Sequence, residues 1–240
     1  MRKLFLFFFL FISFSGCRKD KVLVFEQPEP VLCDTTWVDH YTGDTIHPSP
    51  FLATYPGSYW EYDNGDRDVS VDWHEMPIYS WSENEAGCPV VTRTFVYVCH
   101  LTSDDPVFQE WYVCGTNRLI NKDEHTELRP IVGEVGMTYH SAESSEPDVD
   151  FGSSWTKNYD FKVVSLLPTM EVHGETYENV LHTKEVHEFY YNKFYSDKFY
   201  STFNSYYAEK KGLIYRESSY VLWGWEDQEQ SLTNYHIAPF

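Results

Sequence analysis

Nowhere in its 240 residues does the chain hold an apolar run of about 20 residues, the length a membrane-spanning helix needs. The run Leu4–Phe14, interrupted only at Ser13, falls well short of it. Cations are scarce: 18 Lys and Arg stand against 37 Asp and Glu, a net charge of −19. So acidic a surface repels phosphate, which excludes nucleic acid as a partner. There is no Cys-x-x-Cys pair and no His-Glu-x-x-His helix, the usual spacings of zinc ligands. There is no Gly-x-Ser-x-Gly elbow and no phosphate-cradling P-loop. No stretch combines helical periodicity with caps at both ends. With these classes removed, the chain is not expected to be an enzyme, and no cofactor or metal is implied.

What is present begins at the N-terminus. Arg2 and Lys3 precede Leu4–Phe14, which has the length of the apolar core of a signal peptide. Phe14-Ser15-Gly16-Cys17 follows. Small residues before a cysteine at this place resemble a bacterial lipobox, with Phe14 where leucine is usual. The resemblance implies cleavage before Cys17, a diacylglyceryl group on its sulfur and a membrane hold through acyl chains. Each buried CH₂ of such a chain contributes about 0.8 kcal/mol, and stable anchoring takes more than one chain. An ordinary secretory signal with a chance cysteine and an uncleaved anchor are the alternatives. The expected division is residues 1–16 as signal peptide, 17–50 as lipid-anchored tether and 51–240 as a single antiparallel β domain. Pro28, Pro30, Pro48 and Pro50 punctuate the tether, part of which orders if Cys33 is bridged. Loss of Arg2 and Lys3 with the signal takes the net charge from −19 to −21.

Aromatic residues make up 18% of the chain and tyrosine leads them, which argues for a folded protein built of strands. The expected fold is mainly β: an antiparallel, strongly curved sheet or (half-)barrel with few or no helices. Asn64-Gly65 between Ser58–Tyr62 and Asp68–Trp73 predicts a hairpin, since both turn residues tolerate positive φ. Trp60 and Tyr62 then share one face. A second hairpin is expected around Ser103–Pro106, and a turn at Gly174. The acidic, Ser-rich stretch 141–154 reads as an exposed loop. An even set of cysteines besides Cys17 suggests disulfides in an exported chain. Cys99 and Cys114 lie near opposite positions across the second hairpin, making Cys99–Cys114 the first expectation and Cys33–Cys88 the remainder. Four cysteines allow three pairings, and the sequence does not choose among them.

Three stretches, Tyr55–Gly65 (YPGSYWEYDNG), Gly174–Val186 (GETYENVLHTKEV) and Tyr206–Ser218 (YYAEKKGLIYRES), are similar in order and spacing to motifs of a class of uncharacterised Bacteroidota lipoproteins. The resemblance spans roughly residues 51–237. It implies an antiparallel β fold, a membrane-anchored life in the cell envelope and no established activity, and it carries over no catalytic residues. Arg18-Lys19-Asp20 departs from the acidic residues that follow the lipidated cysteine in surface-exported members. This favours the outer membrane, facing the periplasm.

Other residues invite chemistry. His182 and His187 are five apart, which places them on opposite faces of a strand. Asp63, Asp66 and Asp68 surround a tight turn and could offer oxygens to calcium, but Asp, Asn and Gly are also what such a turn needs. The near-repeat KFYSDKFYST, Lys193–Thr202, sits among further aromatics. A shift of five flips side chains across a strand, so Phe194 shares a face with Tyr200, and Tyr195 with Phe199. A hairpin with its tip near Ser196-Asp197 is expected, a two-faced ribbon offering half of these rings to any ligand. The function this supports is non-catalytic binding or scaffolding of an apolar ligand or an envelope partner protein. A carbohydrate-binding accessory role is the alternative. A deep apolar pocket would favour the apolar ligand; a flat row of exposed Trp and Tyr would favour a sugar or a partner.

The anchor is directly testable. Replacing Cys17 with Ser should move the protein from the membrane pellet to the soluble fraction, and unchanged membrane association would remove the lipoprotein reading.

Overall fold

A computed structural model of the chain describes residues 34–104, 110–122, 125–144, 155–191, 198–220 and 227–239, and no helix occurs among them. Cys17, Cys33, Phe194, Tyr195 and the expected tip at Ser196-Asp197 lie outside the described residues. Thr35–Phe240 forms one unit, apart from Met1–Asp34. The unit therefore takes in β1 (Thr36–Thr45), from the stretch expected as tether.

The other strands are β2 (Tyr59–Tyr62), β3 (Arg67–Glu83), β4 (Pro89–Ser103), β5 (Glu110–Cys114), β6 (Asn117–Lys122), β7 (His125–Pro130), β8 (Thr138–Ser144), β9 (Trp155–Val172), β10 (Glu175–Tyr191), β11 (Lys198–Ala208), β12 (Gly212–Tyr220) and β13 (Gln228–His236). They form one sheet in the order β7-β6-β5-β4-β3-β2-β13-β12-β11-β10-β9-β8. β1 lies off this path and pairs with β4 in parallel. The sheet is curved and open, with no ladder among the described residues between its end strands β7 and β8. Side chains link those ends instead. Tyr139 OH on β8 donates to the Leu128 carbonyl (3.0 Å), and Tyr159 OH on β9 to the Pro130 carbonyl (3.2 Å).

Turn chemistry sets the hairpins. The β2–β3 turn closes with Gly65 N–H on the Tyr62 carbonyl and Tyr62 N–H on the Asp66 carbonyl. Only Gly65 takes positive φ (93°), so this is a turn followed by a glycine bulge, where the sequence suggested a two-residue turn with both φ positive. At the β9–β10 turn His173 and Gly174 are both positive (φ 52° and 81°), the form that matches the twist of flanking strands. Residues 141–144, expected as loop, pair with β9 as the end of β8.

The concave face holds the main core, with Trp60, Tyr62, Leu101, Phe161, Leu181 and Tyr207 among its buried members. A smaller cluster of Met76, Val96, Val98 and Leu119 lies on the opposite face, with Ile46 and Cys114 packed against it. This division overturns the Cys99–Cys114 pairing: both are free thiols. Cys99 is paired with Val113, one residue short of Cys114, and that single step puts Cys114 on the other face. Burial raises the pKa of both thiols, that of Cys99 to about 12. Cys88 is disulfide-bonded; Cys33, its expected partner, lies outside the described residues.

Trp60 is only 2% exposed, and its indole N–H donates to the Lys211 carbonyl at 2.5 Å. Gly212 follows at φ 92°, and a Cβ there would lie 2.6 Å from Trp60 Nε1. Gly212→Ala should thus combine a left-handed backbone penalty with a core clash and cost about 2–4 kcal/mol. Urea unfolding checks this; a change below about 0.5 kcal/mol, the scale of neutral surface substitutions, would contradict it.

Candidate functional site

Two features stand out: an aromatic arm and a polar cavity. The arm is built by the long halves of β3 and β4 that run beyond β2 and β5, with β1 alongside. Direct partners across a ladder share a face, so the register fixes its composition. Trp37, Val91 and Trp81 form one row, Asp39, Arg93 and Tyr79 the next, Tyr41, Phe95 and Pro77 the third. Tyr97 follows on the same face of β4. Tyr41 and Phe95 stack at 4.4 Å and 5°. Arg93 lies over Trp37 and is bound by Asp39 through two hydrogen bonds (2.6 and 2.9 Å). Trp81 is 72% exposed, Tyr41 66% and Trp37 54%. The same alternation continues along β4 into the buried Cys99 and Leu101, so the arm extends the concave face.

Sequence reasoning missed this surface, because Trp37 and Tyr41 fell in the expected tether. The signal was present as aromatics two apart, in Tyr79-x-Trp81 and Phe95-x-Tyr97. The surface that reasoning did single out is divided. Phe199 and Tyr200 lie in the β10–β11 hairpin, opposite Phe189 and Glu188. Phe199 shares its face of β11 with Phe203, Ser205 and Tyr207, the last two buried. Tyr200 faces the other way and is 38% exposed.

The cavity encloses about 40 Å³ within the curl of the sheet. That is room for a few waters, where a lipid-carrying pocket needs several hundred Å³. Leu52, Trp60, Leu101, Ile131 and Phe203 supply apolar wall. Charged side chains enter from distant strands: Arg118 on β6, Glu185 on β10, Arg216 on β12 and Asp68 on β3. Tyr62 OH donates to Asp68 (3.1 Å), and Arg216 Nε donates to Ser205 Oγ (3.1 Å). Trp111 also lines the cavity, and its indole N–H is buried with no hydrogen-bond partner.

Burial works against the charge of Arg216, but the oxygens of Tyr207, Glu185 and Tyr62 outweigh it and raise its pKa. Burial likewise pushes the Glu185 carboxyl up. The contact with His187 (3.4 Å, an ion-pair distance) and the charges of Arg118 and Arg216 outweigh it and hold Glu185 below the usual carboxylate range.

The other candidates take separate places. His182 stacks on Tyr206 at 4.5 Å, whereas His187 contacts Tyr159 and Phe203. Asp63 accepts the Ser231 N–H (2.8 Å), and Asp66 accepts from Asn64 (2.6 Å). With Asp68 bound by Tyr62, each carboxylate of the turn has its own protein donor. Among the described residues no cluster of three or more His, Cys, Asp or Glu is placed to hold a metal.

Comparison with known proteins gives little beyond this geometry. No family profile matches the chain, and no curated protein does. Among solved structures, a protein described as exported, with a YmcC-like fold, from Bacteroides fragilis matches at 9% identity and a TM-score of 0.34. The match covers 80% of this chain and 99% of that one. A protein described as a lipoprotein from Parabacteroides distasonis matches at 10% identity and 0.35, covering 80% and 100%. A likeness at this level carries no argument about function.

The Glu185 shift has a defined pH consequence. A carboxyl whose folded pKa is lowered stabilises the fold above its unfolded value, about 4.3 for Glu, and loses that contribution as pH falls through the folded pKa. Thermal melts across pH 7 to 3 should therefore show a steeper acid loss for the native chain than for Glu185→Gln. Parallel curves would show that Glu185 is not linked to folding.

Proposed function

We propose that this chain is a lipid-anchored protein of the cell envelope that acts by non-catalytic binding, with the aromatic face of its β1–β3–β4 arm as the docking surface for a partner protein. The observation that carries the reading is the row of exposed rings, Trp37, Tyr41, Trp81 and Tyr97, on one face of an extended sheet. Contiguous exposed apolar surface marks interaction sites, and Trp, Tyr and Arg dominate the energy of protein interfaces. Arg93, which lies over Trp37 and is bound by Asp39, supplies that third residue type. The cavity is too small and too polar for an apolar ligand of lipid size, which moves the balance from a carrier to a docking protein. The signal at Cys17 supports the anchor, and Arg18-Lys19-Asp20 supports the periplasmic face of the outer membrane.

Trp81→Ala and Trp37→Ala test the surface. Each should weaken a stoichiometric, cross-linkable envelope partner by tenfold or more, as truncation of an interface anchor does, while membrane association and thermal stability stay unchanged. Binding of neutral polysaccharide that both substitutions abolish, with no protein partner, would replace this reading by the carbohydrate one. Retention of the partner by both variants would remove the surface from the function.

A further inference from the structure

The register that builds the arm also decides which charges share its aromatic face. On β3 that face carries Glu75, Pro77, Tyr79, Trp81 and Glu83, opposite alternate residues of β4 from Tyr97 to Pro89. The intervening positions, on the other side of the arm, include Ser80, Ser82, Thr92 and Thr94. Glu75 and Glu83 are both exposed. They stand at the two ends of the rings, about 27 Å apart along an extended strand. Among the described residues neither carboxylate is paired with a cation, whereas Asp39, in the middle of the face, is taken by Arg93.

Arg93 shows how this face holds a cation. Its guanidinium lies over the Trp37 ring, 5.2 Å from the centroid, and its Nε and Nη2 donate to the Asp39 carboxylate. Trp37 and Asp39 are two residues apart on one strand and so share a face. Trp81 and Glu83 repeat that arrangement on β3, with the ring 72% exposed and no cation over it among the described residues. At the far end Tyr97, 36% exposed, is the direct ladder partner of Glu75. A guanidinium is drawn to an aromatic face by the ring quadrupole and stacks on it through its own plane. A carboxylate beside the ring supplies the countercharge.

We infer that the protein segment docking on the arm is basic at both ends and apolar between them, with an arginine or lysine on Trp81 and Glu83 and another on Tyr97 and Glu75. This rests on the docking reading above. The net charge of −19 steers such a segment toward the arm, and it opposes a second copy of this chain or a bilayer of anionic headgroups as the occupant.

The probes are three peptides, RTVTVTVTR, QTVTVTVTQ and ETVTVTVTE, each carrying an uncharged dye. Extended, each presents three valines and its two end residues on one side, the ends spaced like Glu75 and Glu83. Fluorescence anisotropy is read against the full-length protein in non-ionic detergent. The arginine peptide should saturate with a Kd of about 1 mM or tighter, at least tenfold tighter than the glutamine peptide, with the glutamate peptide weakest. Raising NaCl from about 50 mM to about 500 mM should shrink that difference. Glu83→Gln and Glu75→Gln, both at exposed positions, should each weaken the arginine peptide threefold or more and leave the glutamine peptide unchanged. Glu171→Gln, exposed on β9, should change neither. Absence of saturation by the arginine peptide, equal binding of the arginine and glutamine peptides, or unchanged affinity in both variants overturns the inference. If Trp81→Ala then weakens the arginine and glutamine peptides alike, the docking surface stands and only the basic partner falls. If Trp81→Ala changes neither peptide, the arm is not the site and the docking reading falls with it.

Discussion

A sheet with no helix to cover it must bury its own apolar face. That constraint organises this molecule. Among the described residues nothing but strands and turns is available to pack against the concave side, so the sheet curls until it covers itself. The long strands β3, β4, β9 and β10 twist along their length and make the curl possible. Closure by a ladder between β7 and β8 would remove the last edges, yet the ends meet through Tyr139 and Tyr159 hydroxyls on β7 carbonyls. Those two bonds satisfy backbone acceptors on the end strand while leaving the ring open. An open ring can change its width more readily than a closed barrel, whose strand number and shear fix its radius.

The interior that results is not uniformly apolar. Residues on one face of a strand alternate with period two, so every second residue of β6, β10 and β12 must face inward. At Arg118, Glu185 and Arg216 those positions are ionic. Replacing buried ions by apolar groups of similar volume is often neutral or stabilising. Here the ions compensate one another: His187, Arg118 and Arg216 hold Glu185 in its charged form against the cost of burial. Leu101, Ile131 and Phe203 in the same wall show that the fold accepts apolar residues beside these sites.

Local structure was legible where the information is local. Asn64-Gly65 and His173-Gly174 announce their turns because backbone conformation at such residues is decided by their own sterics. The alternation of Tyr59-Trp60-Glu61-Tyr62 announced that Trp60 and Tyr62 share a face, and the structure buries that face. What could not be read depends on register between distant segments. Cys99 and Cys114 look opposed, and the ladder sets Cys99 against Val113, a difference of one residue that moves a thiol through the sheet. β1 pairs in parallel with β4 across a long sequence separation, and parallel pairing leaves no turn signature between the two strands. The Arg118–Arg129 juxtaposition is likewise invisible in one dimension, because neither residue is unusual until its neighbour across the ladder is known.

The same register argument ties the two surfaces together. Along β4, alternate residues from Val91 to Leu101 lie on one continuous face, first among the rings of the arm and then within the core. Trp73, opposite Cys99, packs on the core and contacts Tyr55 and His47 in the segment between β1 and β2. A partner resting on Trp37, Tyr41 and Trp81 would thus sit on strand β4, whose far end reaches the cavity wall at Leu101, opposite Trp111 of β5. At the open seam between β7 and the β8–β9 pair, the described contacts are the Tyr139 and Tyr159 hydroxyls on β7 carbonyls and Arg129 over the Tyr159 ring. Arm, cavity and seam are therefore built from one sheet, which supplies all three.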